Sequence, residues 1–347
     1  MSLGDQAPAE FKAQVTTTIG WLHAEPESKG PTTMSRHHFP HNSATFLGLL
    51  AAICCALAEP ALRADEPCDE GCEEHTCSDG PCCCKPRGTL FQWSDGTSFS
   101  GGPDLDEPLV TDRPDFTEAG STVGRGVAQI EFGYTYTYNN DAGESVRAQS
   151  FGEPLLRYGI LAEWLEFRIA LFPVEERTRA AGRSNSTWGT EDLYTGFKIG
   201  LTPQEGVLPE MALIPQMTVP AGADTFSAEE VLPGVNWIYA WEVNDFISTG
   251  GSTQFNRAID DGSSLSYTEW AQSWTIAYSL TDKVGAYTEW FALLPHSAET
   301  AMPEHYFNGG FTYLFSNDVQ WDIRAGTGLN AAADDYFVGT GLSLRFQ

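Results

Sequence analysis

Charged side chains recur at every second position in segments otherwise built from apolar, aromatic and small polar residues, and that spacing governs what they can do. Alternation places Glu131, Glu153, Arg157, Glu166, Arg168, Lys198, Glu269, Glu289, Asp322, Arg324 and Arg345 opposite an apolar face. Mixed charges facing one another in a narrow space have two uses. They neutralise each other and fix strand register, because an unpaired charge at low dielectric is costly. They also form a polar eyelet that sets which solutes pass. A second group, Asp112, Arg113, Asp115 and Glu118, lies within 108–125 just before the first alternating segment. It reads as an entry motif that docks inside the body through Arg113 and the inward carboxylates and plugs one mouth.

A third cluster is sulfur. Cys68, Cys72, Cys77, Cys82, Cys83 and Cys84 crowd into 17 residues with His75 among them, and no Cys follows Cys84. Thiolates and imidazole are soft metal ligands, but the paired CxxC spacing of a zinc site is missing. The six are read as disulfide candidates of an oxidising compartment, able also to bridge to a partner. No metal and no cofactor are assigned. After residue 65 the histidines are His75, His296 and His305, with Ser297 beside His296 and Glu299 near. Neighbours in sequence do not make a catalytic triad, so the chain is read as no enzyme. A lipase-type outer-membrane hydrolase and a structural or adhesive envelope protein stand as alternatives.

The elements that must position these groups are strands. From about residue 126 the pattern has period two. Ile130, Phe132, Tyr134, Tyr136 and Tyr138 share one face, with Gln129, Glu131, Gly133, Thr135 and Thr137 on the other. Twelve such segments are expected: 126–138, 149–160, 165–174, 190–201, 209–219, 232–241, 246–257, 265–280, 284–294, 305–315, 319–329 and 336–346. Their length suits tilted strands crossing a bilayer. Short turns (161–164, 202–208, 242–245, 281–283, 316–318) alternate with longer loops (139–148, 175–189, 220–231, 258–264, 295–304, 330–335). The expected fold is an all-β, antiparallel up-and-down transmembrane barrel of about twelve strands, its termini on the periplasmic side. Pro154, Pro215 and Pro233 forecast bulges or strand ends, and Gln272 falls on the apolar face. A β-sandwich also alternates, but its outer face is rich in Lys, Glu and Thr. The polar face here is Gly, Ser, Thr and Gln with isolated charges, and Trp and Tyr gather near segment ends as in an interfacial girdle.

Composition agrees. The 347 residues carry 19 Lys+Arg against 47 Asp+Glu, a net charge of −28, which excludes nucleic acid as a partner. Acidic loops give a negative vestibule that favours cations. The mean hydropathy of −0.25 excludes a helical membrane bundle and leaves a barrel open. One apolar run, 45–58, has the length of a signal-peptide core and follows Met34-Ser35-Arg36. Residues 34–64 are therefore expected to be a cleaved signal peptide, with 1–33 an upstream misannotation or leader. Residues 65–107 form a Cys-rich segment and linker, a disordered or disulfide-bearing extension, and 108–347 the barrel with its entry motif.

Particular residues also resemble a known family. Thr111-Asp112-Arg113-Pro114-Asp115-Phe116-Thr117-Glu118, followed by Gln129-Ile130-Glu131-Phe132-Gly133-Tyr134, is similar to the opening of the outer-membrane family named for the MetA pathway of phenol degradation. Leu155-Leu156-Arg157-Tyr158-Gly159, Leu165-Glu166-Phe167-Arg168, Val219-Pro220-Ala221-Gly222, Gln320-Trp321-Asp322-Ile323-Arg324 and Gly339-x-Gly341 fit as well, over roughly 109–346. The resemblance implies a transporter-like barrel in the outer membrane of a diderm bacterium. Its partners would be outer-membrane lipids and a small, hydrophobic or aromatic solute. Apart from the resemblance, the end Leu342-x-Leu344-x-Phe346 is close to the terminal pattern of outer-membrane barrels and points to the barrel-assembly machinery, with Gln347 after the Phe a departure from it.

Overall fold

The computed structural model describes residues 88–92, 102–141, 143–260 and 262–347. The expected signal peptide and the six clustered cysteines lie outside them. Period-two segments form strands, and among the described residues there is no helix. In chain order the strands are β1 (Ala128–Asp141), β2 (Glu144–Gly159), β3 (Leu165–Ala170), β4 (Pro173–Ala180), β5 (Arg183–Thr190), β6 (Leu193–Thr202), β7 (Glu210–Val219), β8 (Leu232–Asn244), β9 (Ile247–Asp260), β10 (Leu265–Ser279), β11 (Val284–His296), β12 (Glu304–Ser316), β13 (Val319–Gly328) and β14 (Tyr336–Phe346). Neighbours pair antiparallel around a ring of twelve, β1-β2-β3-β6 and then β7 to β14, which closes where β14 returns to β1. Closure leaves no open edge in that ring, as a bilayer requires.

The remaining two strands correct the expectation for 175–189. These residues are not a loop. β4 and β5 form a hairpin that pairs through β4 with the upper half of β2, Glu144–Ser150. β3 with β4, and β5 with β6, are one long hairpin broken at 171–172 and 191–192. The loop expected at 139–148 is likewise mostly strand, with β1 running to Asp141 and β2 starting at Glu144. Beyond the lipid band neither face of such a strand is apolar, so the signal that identifies the wall fades there.

β2 also changes phase. Gly152 (φ 73°) and Glu153 (φ 34°) adopt left-handed backbone beside a register shift opposite Glu131–Gly133. Below the bulge the inward residues are Glu153, Leu155 and Arg157; above it they are Val146, Ala148 and Ser150. Pro154 follows this bulge and Pro233 lies at the start of β8, as proline chemistry predicts. Pro215 does neither. It sits within β7, opposite Val235 of β8, and register with β6 is the same on both sides of it.

The outer wall is apolar and aromatic, with Phe197, Trp237, Phe255, Trp270, Trp274, Phe311, Trp321, Ile323 and Val338 all exposed. The misplaced Gln272 accepts a hydrogen bond from the Thr253 hydroxyl (2.8 Å) and donates to Tyr239 Oη (2.8 Å), so its amide is satisfied on the outer face.

Candidate functional site: a charged segment threaded through the barrel

All eleven alternation-selected side chains are buried. The described N-terminal segment lies among most of them. Residues 103–110 run along the short-turn end, where Leu109 N donates to Asn317 O (2.7 Å) and Arg345 donates to the carbonyls of Leu105 (3.1 Å) and Glu107 (3.0 Å). Arg345 also pairs with Asp318 at 2.7 Å, so it holds the rim. The chain then enters the barrel at Val110–Thr111.

Asp112 is the hub. Its carboxylate meets Arg168 at 2.5 Å, Lys198 at 2.7 Å and Arg157 at 3.3 Å, one cation from each of β3, β6 and β2. It also accepts the Ala119 amide at 2.9 Å, closing 112–119 into a loop, and its own amide donates to Glu131 (3.1 Å). Arg157 ties the layer together. It pairs with Glu166 (2.8 Å) and Glu131 (3.1 Å) and donates to the carbonyls of Val110 (3.0 Å) and Ser121 (3.2 Å). Glu118 receives Arg168 at 2.9 Å and the Asn236 amide of β8 at 3.3 Å.

Arg113 points the other way, to Glu153 of β2 at 2.6 Å and Asp322 of β13 at 3.3 Å. Its seat is made by glycine. Gly133 and Gly341 pair across β1 and β14, and a Cβ on either would collide with the Arg113 guanidinium. Pro114 O accepts from Arg324 (2.9 Å). Glu289 of β11 takes the amides of Phe116 (2.8 Å) and Thr117 (2.7 Å) and the Thr117 hydroxyl (2.8 Å), while that hydroxyl meets Ser273 of β10 at 2.6 Å. Phe116 stacks on Phe291 (4.6 Å, 3°), which stacks on Tyr306 (4.7 Å). Asp115 stands near Glu289 and Thr275. From 110 to 123 the segment therefore touches strands on every side of the bore. A small cavity beside it is lined by Asp112, Arg113, Glu118, Glu131, Glu153, Leu155 and Phe172.

Alternation had no means of finding the two seat glycines, Asn236, or the amides that satisfy Glu289. Gln129 shares Glu131's parity and is bonded to Val110 O (2.9 Å) and Glu131 (3.0 Å). Glu269 lies apart from this layer and accepts the Tyr267 hydroxyl at 3.1 Å.

At the far end several loops fold inward. Asp192 accepts the amides of Gly222 and Ala228 (both 3.0 Å), which brings Phe226 and Ala228 into an apolar cluster with Phe172 and Leu232. Asp260 caps 299–300 through the amides of Glu299 (2.6 Å) and Thr300 (2.7 Å) and the Thr300 hydroxyl. Asp334 is buried, and its amide donates to Tyr306 Oη (3.2 Å). Asp260, Glu304 and Asp334 are thus buried and are not part of an acidic loop surface. Burial, then the nearby Glu304 carboxylate, holds Asp334 well above the usual carboxylate range. His296 ends β11, and His305 of β12 stacks on Trp290 at 6.0 Å.

The fold and the threaded segment define an outer-membrane-type barrel with a peptide segment held inside it. The chain belongs to the family described as "Putative MetA-pathway of phenol degradation", whose model matches residues 111–346. Among solved structures it is similar to an outer membrane channel from Pseudomonas putida F1, with 11% identity over 63% of this chain and 94% of that one and a TM-score of 0.50. The NanC porin (9%, 62% and 98%, TM-score 0.38) and the translocator domain of the autotransporter NalP from Neisseria meningitidis (11%, 63% and 88%, TM-score 0.42) are more distant in shape. No curated protein matches the chain.

Proposed function

We propose that this protein is a passive channel for small solutes in the outer membrane of a diderm bacterium, reached by signal-peptide export, and that its own residues 108–125 set the width of its bore. One observation carries the reading: Asp112, Arg113 and Glu118 are ion-paired to β2, β3, β6 and β13 inside a closed ring of strands. A barrel of twelve strands is narrower than the porins that keep an open aqueous channel, so a peptide lying across it governs what passes. Phe116, Phe172, Leu155 and Phe291 beside the charged layer make the path amphipathic, which suits small solutes with an apolar part. The test is single-channel conductance in a planar bilayer with residues 108–125 removed. Conductance is expected to rise, and an unchanged value overturns the proposal.

A further inference from the structure

The hairpin above the wall carries charge of the wrong sign for this acidic chain. On its outward face Arg147 of β2 lies directly opposite Arg177 of β4, and Arg179 lies two residues further along, opposite Ser145. All three are exposed. By alternation, the outward residues of β2, β4 and β5 above Phe151 include one carboxylate, Glu175, which pairs with Arg177 at 3.0 Å and accepts the Ser186 hydroxyl at 2.9 Å. Like charges directly opposite on an antiparallel pair are destabilising; Glu175 offsets Arg177, and among these outward residues no further carboxylate offsets Arg147 or Arg179. Elsewhere on the outer surface of this end, Arg257 is neutralised by Glu230 at 2.6 Å.

The patch is continuous with the lipid-facing wall. On the same face Tyr138 and Tyr336 lie level with Arg147, and Tyr136 and Tyr134 lie below it, with Phe151 packed between Tyr134 (5.5 Å) and Trp188 (5.4 Å). Tyr138 pairs with Arg147, whose guanidinium sits 5.8 Å from the Tyr138 ring centre. Tyr and Trp mark the level where hydrocarbon meets headgroups. Arg147 and Arg177 are level with the top of that belt and Arg179 one step above it, which puts the three guanidiniums at headgroup height, and guanidinium binds phosphate through paired, charge-assisted hydrogen bonds.

From this we infer that Arg147, Arg177 and Arg179 form a binding site for a phosphorylated lipid headgroup of the outer leaflet, of the bisphosphorylated glycolipid (lipid A) class. The site rests on the outer-membrane reading, with the long-loop end outermost. Ser184 and Ser186 of β5, on the same face, would line its distal side.

The experiment is native mass spectrometry of the full chain in detergent with added bisphosphorylated lipid A, dephosphorylated lipid A or phosphatidylethanolamine, and with inorganic phosphate as competitor. The wild type is expected to retain the bisphosphorylated lipid selectively. The triple variant Arg147→Gln/Arg177→Gln/Arg179→Gln should lose roughly tenfold or more in retention, the scale of one or two charge-assisted contacts. Equal retention by wild type and variant overturns the site, and so does release of lipid by millimolar phosphate, which marks a small-anion site. Heat-modifiable gel migration reports the barrel separately, so failure of the barrel reading and failure of the lipid site are distinguishable. Arg179→Gln alone, at the exposed end of the hairpin, keeps the test available if the triple variant does not fold.

Discussion

At the scale of single residues, the threaded segment is held because its charges are shared. Arg157 is fully buried and meets Asp112, Glu131 and Glu166, so its removal strands three carboxylates at once. Breaking a buried pair by removing one partner costs about 3–5 kcal/mol. Arg157→Ala is therefore expected to lose about that much, read as a lower urea midpoint for the heat-modifiable band, and a midpoint within about 0.5 kcal/mol of wild type would show that the network is solvated. Asp334 gives a pH dependence. Its folded pKa is raised, so its burial adds stability at acid pH, and that contribution is lost as pH rises from the usual carboxylate range through the raised value. The inward fold of 329–335 should loosen in that direction, giving more frequent openings at higher pH in the wild type and a flat profile in Asp334→Asn; equal profiles contradict this. The partners of Arg113 were legible, since Glu153 and Asp322 fall on the inward parity. Its seat was not, because Gly133 and Gly341 have no side chain to place and their role is the space they leave.

At the scale of elements, the barrel wall was legible wherever lipid covers one face and the bore the other. There every strand alternates, from Ile130/Glu131 in β1 to Leu344/Arg345 in β14. The β4–β5 hairpin was not legible, since Glu175–Thr190 borders water and lacks an apolar face. The β2 bulge shows how local backbone sets the site. Without it, the inward parity that delivers Glu153 and Arg157 would carry Arg147 and Phe151 inward and Ala148 and Ser150 outward. Gly152→Val keeps the strand length but disfavours the left-handed backbone that forms the bulge, and is thus expected to weaken the heat-modifiable band by pressing the upper half of β2 toward the flipped parity. Retention of that band with unchanged conductance would show that the bulge is dispensable.

At the scale of the whole molecule, the closed ring faces lipid with aromatic and aliphatic residues and turns its charge inward. Part of the net −28 belongs to residues outside the described ones; among the described residues the carboxylates divide between a buried, ion-paired layer, loop anchors such as Asp192 and Asp260, and the remaining loops. The short-turn end holds the N-terminal strap and the far end is drawn in by its loops, leaving the path between them to the 110–123 segment. The central claim is that this segment sets the bore, and single-channel conductance of full-length protein against the 108–125 deletion tests it most directly. Conductance should increase about twofold or more in the deletion, because the segment lies across the bore of a narrow barrel. A folded, heat-modifiable deletion variant with wild-type conductance would contradict the account.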